Sequence, residues 1–155
     1  CCFRRYCRCI YKFINYTREH ANEIANTGFN RDYPKSLIGK FDKPERFERE
    51  GWSYTLMDED KVIYVGGIHP LWQGVGEVWF VGSAHLNKMP VKYIRAFKKK
   101  SYELINEHNI IRLQAPIRKE FKTAKRFVEW WGLKEEGLMK KYFDNHDYYM
   151  MGWTR

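Results

Sequence analysis

The chain has 155 residues, of which 44% are apolar, 17% aromatic and 30% charged. That is the make-up of one globular domain with its own core, and it excludes disordered and collagen-like chains. No apolar run approaches the ~20 residues that a membrane-spanning helix needs, and the formal charge of +9, from 28 basic and 19 acidic residues, points to an anionic partner: nucleic acid, a phosphate-bearing cofactor or an acidic membrane surface.

All four cysteines, Cys1, Cys2, Cys7 and Cys9, fall at the start. Their spacing matches no zinc motif, and a disulfide scaffold spreads its cysteines through the fold. The body therefore reads as a protein of a reducing compartment. No signal-peptide apolar region is evident. Residues 1–12 are expected to be a poorly packed appendage, and residues 13–155 a single domain. Phe13-Ile14-Asn15-Tyr16 alternates like a short strand, Thr17 suits an N-cap, and Arg18 to Asn26 reads as a helix closed by Thr27-Gly28. Residues 29–41 are loop-like. Asp42 caps a second short helix, with Pro44 in its first turn and Gly51 as its stop. Trp52 to Met57 is aromatic and β-branched, hence a strand, and Asp58 to Lys61 is a turn. Val62 to Ile68 is the next strand, where Gly66-Gly67 marks a bulge or a close backbone approach. Leu71 to Gly76 turns the chain, and Glu77 to Val81 completes a meander. After a loop over residues 82–89, Pro90 to Glu107 has helical spacing, with Val91, Ile94, Phe97, Ser101, Leu104 and Ile105 on one face. Asn109 to Ala115 is a strand, Lys119 to Trp131 a helix, and Gly132 stands where a C′ glycine belongs. Leu138 to Phe143 and Tyr148 to Trp153 are two last strands around Asp144-Asn145-His146-Asp147. The order is β-α-α-β-β-β-α-β-α-β-β, a mixed α/β layout.

The charge is concentrated. Residues 88–126 hold twelve Lys and Arg against Glu103, Glu107 and Glu120, which equals the whole net charge. Such a stretch is either an anion-binding surface or a solvated face.

The stretch Ile110-Ile111-Arg112-Leu113-Gln114 and the ending Ala124-x-x-Phe127-x-x-x-Trp131-Gly132-Leu133-x-x-Glu136-Gly137, with Ile14-Asn15-Tyr16-Thr17 at the front, resemble the GNAT (N-acetyltransferase) superfamily across residues 13 to 154. The resemblance implies a mostly antiparallel central sheet with helices on both faces. It implies that acetyl-CoA lies where the fourth and fifth strands part, with its pyrophosphate on the loop entering the following helix. The matching loop is Val81 to Pro90. It departs from the family's Arg/Gln-x-x-Gly-x-Gly/Ala pattern: no glycine follows Gly82, and Pro90 lacks an N–H. Phe121 and Val128 stand near the family's usual Asn and acid Tyr. Val78-Trp79-Phe80-Val81-Gly82-Ser83, an aromatic strand running into a glycine-poor loop, is similar to divergent GNAT-like proteins of tailed bacteriophages, some of them virion-associated.

The resemblance implies Val81, Ser83, Lys88, Met89, Val91 and Lys92 as the residues around the cofactor. Acyl transfer to an amine needs a base for the ammonium proton and an acid for the leaving thiolate. Glu77, at a strand start, is the candidate base, the alternative being a water-exposed strand-end carboxylate. Tyr142 is the candidate acid. His69 and His85 suit proton shuttling or are ordinary loop histidines. The five histidines form no metal-ligand pattern. Of Trp130 and Trp131, adjacent at a helix end, one must point partly outward, a hint of a protein partner or homo-oligomer. The expected function is acetyl transfer from acetyl-CoA to an unspecified amine, in the cytoplasm. The alternative is a non-catalytic phage protein of the same fold, in the host cytoplasm or virion, that binds protein or nucleic acid. Nucleic acid is the less favoured partner because the aromatics do not interleave with the basic residues.

Overall fold

The computed structural model describes residues 11–29, 31, 44–88 and 90–155. The cysteines, the Asp42 cap and Met89 lie outside the described residues. Among these residues seven strands form one sheet in the order β1-β2-β3-β4-β5-β7-β6. They are β1 (Tyr11–Asn15), β2 (Ser53–Asp58), β3 (Lys61–Trp72), β4 (Val75–Gly82), β5 (Arg112–Arg118), β6 (Lys134–Phe143) and β7 (His146–Thr154), and the helices are α1 (Arg18–Thr27), α2 (Pro90–Glu107) and α3 (Lys122–Trp131). All neighbours pair antiparallel except β4 and β5, which are parallel. This is the expected mixed, mostly antiparallel layout.

The period-2 alternation of the strands divides the core into two layers. On one face α1 packs Ala21 and Ile24 with Val62, Val65 and Val81. On the other, α2 and α3 pack Phe97, Leu104, Ile105, Val128 and Trp131 against Leu56, Tyr64, Ile68 and Leu113. Each fully buried aliphatic or aromatic side chain of this kind contributes roughly 1.5–3 kcal/mol. Thr17 caps α1, its N–H donating to His20 Nδ1 (3.1 Å). Gly132 ends α3 in the left-handed region at φ 119°, its N–H donating to Val128 O and Glu129 O. Trp131 is buried and Trp130 exposed, as adjacency on a helix requires.

Several expectations shift. Tyr11 and Lys12, assigned to the appendage, pair with Asp58 and Met57 as part of β1. The second helix is a single 3-10 turn, Pro44–Phe47. β3 runs on through His69 and Pro70 to Trp72, so His69 is a strand residue. Gly66-Gly67 marks close approach rather than a bulge: a Cβ on Gly67 would lie 2.2 Å from Trp52 O. The β3 irregularities fall on either side of Gly66-Gly67, at Ile63 opposite Leu56 and Met57 and between Pro70 and Trp72. β5 begins at Arg112, because Asn109 (φ 51°) and Ile110 still close α2, Ile110 N–H donating to Ile105 O. Residues 119–121 turn the chain before α3, with Phe121 N–H donating to Arg118 O. Among the described residues no helix is long and apolar enough to cross a membrane.

Candidate active site

β4 and β5 pair over three positions only: Val75 with Arg112, Gly76 with Leu113, and Glu77 with Gln114. Beyond Glu77, β4 continues along β3 and β5 continues along β7. Pro116, just past the last pair, carries no N–H to extend a ladder. The gap is a cleft of about 790 Å³. Its walls are apolar: Val78, Phe80 and Val81 from β4, Ala115 and Ile117 from β5, Val91 and Ile94 from α2, and Phe127 and Val128 from α3. Phe80 packs edge-on to Phe97 (5.1 Å) and tilted against Phe127 (5.6 Å), which stiffens the wall. Among the described residues four arginines also line it, Arg31, Arg95, Arg118 and Arg126, against one carboxylate, Glu77.

Glu77 sits at the point of the fork. Burial pushes its carboxyl above the ordinary range, opposed by a hydrogen bond with Gln114 and by the Arg46 charge. His69 is its cross-strand partner on β3, and directly opposed strand residues share a face. The His69 ring lies 5.6 Å from Phe47. Its Nδ1 is buried without a hydrogen-bond partner among the described residues. Burial, then Arg49 and Arg46, push its pKa down, so the ring is neutral at neutral pH. Trp79 and Phe47 (4.5 Å) cover this side of the fork.

Tyr148, paired with Arg118 at the end of β5 away from Gln114, lines the cleft, and the Tyr142 ring lies 5.5 Å from its ring. Burial raises both phenols, the Glu77 charge adding for Tyr142 and the Arg118 charge opposing for Tyr148. Each is protonated at neutral pH and able to donate. The buried Arg118 guanidinium donates to His146 Nε2 (2.6 Å) and Glu120 Oε2 (3.3 Å), tying the end of β5 to the β6–β7 hairpin.

The other expected cofactor residues divide. Val81 and Val91 line the cleft. Ser83 is fully buried, and its hydroxyl is within donating distance of Val62 O (2.6 Å) and Ile63 O (3.0 Å). Lys92 points away, its Nζ 3.4 Å from Asp58 Oδ2 and over the Tyr11 and Tyr93 rings. Lys88 is exposed and outside the lining. The loop is not a row of free amides. The N–H of Ser83 donates to Ile63 O, of Ala84 to Gly28 O, of Leu86 to Ser83 O and of Lys88 to His85 O. His85 N–H donates to Ser83 Oγ. Residues Ala84–Asn87 form a 3-10 turn, with Leu86 buried against the cleft wall and the cleft left open.

Sequence reading missed Arg95, Arg126, Tyr148 and Gln114. Arg95 lies one helical turn from Val91, the signal by which it was open to being found, because residues i and i+4 share a face. Gln114 becomes visible only once β5 is set in register with β4. Among the described residues no group of three His, Cys, Asp or Glu could hold a metal ion.

No family model matches the chain, and no curated protein matches its sequence. Solved structures do match. A spermidine N-acetyltransferase from Vibrio cholerae in complex with CoA and spermine is similar with a TM-score of 0.68 at 12% identity, covering 94% of this chain and 95% of that one. A ribosomal-protein-S5-alanine acetyltransferase from Vibrio fischeri is similar at 0.67 and 14% identity, covering 98% and 95%. An acetyltransferase of the GNAT family from Bacillus anthracis is similar at 0.66 and 11% identity, covering 94% and 95%. The fold is the GNAT fold, as the strand order and the single parallel pair at the fork require.

Proposed function

We propose that the protein transfers an acetyl group from acetyl-CoA to an amine. The observation that carries this reading is Glu77, a carboxylate held above its usual pKa at the point of an open fork between two parallel strands. A thioester lying in the apolar cleft brings its carbonyl to the end of the β4–β5 ladder. There the amine nitrogen attacks the carbonyl carbon, the C–S bond breaks and the ammonium proton passes to Glu77. The departing thiolate takes a proton from Tyr142, the phenol that feels the Glu77 charge. No covalent acyl-enzyme is needed. Gln114 orients the Glu77 carboxylate, and His69 stands beside it as a neutral ring that can relay the proton outward.

The acceptor approaches over the α1 face, where Glu77 and His69 lie. With four arginines and one carboxylate lining the cleft among the described residues, a monoamine fits better than a polycation. The similar structures include proteins described as acting on spermidine and on a ribosomal protein, so the fold itself leaves the acceptor open.

The test is a thermal shift with acetyl-CoA, paired with thiol release in the presence of primary amines. Binding to the native state raises Tm by mass action, about 2.7 kcal/mol at a hundredfold excess over Kd. A shift together with amine-dependent thiol release supports the reading. No shift at millimolar acetyl-CoA overturns it and leaves a non-catalytic binding protein on the same fold.

A further inference from the structure

Resting on the thioester reading above, the question is what holds the anionic end of the donor. The loop entering α2 offers little: its amides at Ser83, Ala84, His85, Leu86 and Lys88 already have acceptors. The basic side chains nearby are also largely engaged. Lys92 is paired with Asp58, Lys98 donates to Trp130 O, Lys100 lies near Glu103 and over the Tyr54 ring, and Lys125 bonds Glu135.

Arg95 and Arg126 differ. Both line the cleft on facing helices, and neither guanidinium has an ion pair or hydrogen bond among the described residues; Arg31, the other lining arginine without one, lies off the helices, its backbone N–H donating to Asn87 Oδ1. They stand on the two helices that flank the fork. β4 leads into α2 and β5 into α3, so both helices start at the splayed end of the parallel pair. The helices touch where Lys98 Nζ meets Trp130 O at 3.1 Å. Arg95 precedes Lys98 by three residues and Arg126 precedes Trp130 by four. Each therefore sits about one turn back from that contact, toward the helix starts. Between these cations and Glu77 the wall is apolar, formed by Val78, Phe80, Ile94 and Phe127. A ligand that satisfies the whole cleft has an anion at one end, a largely apolar arm and a reactive carbonyl at the other.

We propose that Arg95 and Arg126 form a two-guanidinium clamp for the phosphate at the head of a pantetheine thioester, replacing a backbone-amide cradle. Guanidinium–phosphate contacts are charge-assisted and geometrically specific. The same phosphate heads free CoA and the 4′-phosphopantetheine arm of an acyl carrier protein, so the clamp serves either source.

The test is calorimetric binding to the full chain, with no turnover required. The ligands are acetyl-pantetheine, acetyl-4′-phosphopantetheine, acetyl-CoA and an acetyl-loaded acyl carrier protein. Wild type is expected to bind acetyl-4′-phosphopantetheine at least about tenfold more tightly than acetyl-pantetheine, the scale of one hydrogen bond to a charged group. In the R95Q/R126Q double variant that ratio falls to about one. Both arginines are exposed, so the variants keep the wild-type Tm. A ratio near one in wild type, or a ratio that survives the double substitution, overturns the clamp alone. Absence of binding by every thioester removes the donor reading with it. Whichever of acetyl-CoA and the loaded carrier binds more tightly identifies the source.

Discussion

Glu77→Gln removes one proton-accepting group with almost no change of shape, and the new amide can keep a hydrogen bond to Gln114 by rotation. General-base catalysis contributes typically 10²–10⁴-fold, so the acetyl-transfer rate should fall by about that factor, equivalent to about 3–5 kcal/mol in the barrier. The stability change has the opposite sign. Burial holds the Glu77 carboxyl above the ordinary range in the native state, more strongly than Gln114 and Arg46 pull it down. A raised carboxyl pKa means that the native state binds the proton more tightly than the unfolded chain does. Its stabilising contribution is complete below the unfolded pKa and is lost as pH rises through the folded pKa. At neutral pH wild type carries that loss and the Gln variant does not. The variant is therefore expected to melt higher than wild type at neutral pH, and the gap should close on acidification below the normal carboxyl range. For the same reason the acid limb of the wild-type pH–rate profile should lie above that of an ordinary glutamate. Steady-state thiol release and paired melting curves at the two pH values measure all of this. A Gln variant that keeps activity within about threefold of wild type, against the expected factor, refutes the assignment of the base. One that melts below wild type at neutral pH refutes the electrostatic argument.

Gly67→Ala tests the sheet beneath the site. Its Cβ would lie 2.2 Å from Trp52 O and 2.8 Å from Ser53 Cα, both backbone atoms that must shift. The expected loss is about 1–3 kcal/mol and several degrees of Tm by calorimetry, and an unchanged Tm would show that β2 and β3 do not approach so closely. Lys92→Gln tests the reassignment of the basic helix. The side chain pairs with Asp58, both partners being about one-quarter exposed, so stability should fall by no more than ~1 kcal/mol. Donor affinity should be unchanged by calorimetry, and a large loss of donor binding would return Lys92 to the cleft.

Much of the layout was legible because its signals are local. The spacing of Phe97, Ser101, Leu104 and Ile105 marks α2, Thr17 marks the start of α1, and Gly132 marks the end of α3, since helix caps and period need only neighbouring residues. Strand ends were less legible. β3 extends past His69 because β4 lies alongside it through Glu77, a pairing over eight residues of sequence distance that period alone does not reveal. The Pro44 segment reads as a helix by composition and closes as one 3-10 turn.

By itself, the sequence determined the order of the strands and of α1, α2 and α3, the start of α1, the span of α2, the end of α3 and the fact that an excess of positive charge gathers on α2, β5 and α3. It also singled out Glu77. Which cations face the cleft was decided only in three dimensions. Successive residues of an α-helix are turned by about 100°. Once Tyr93, Ala96 and Phe97 are buried against the sheet, Lys92 is carried toward Asp58, and Val91, Ile94 and Arg95 toward the fork. The loop's amides, a matter of glycine count in the sequence, are occupied because Ser83 bridges to Phe29 and bonds back to β3. The fork itself exists only because β4 and β5, whose pairing joins distant parts of the chain, stop pairing at Glu77 and Gln114.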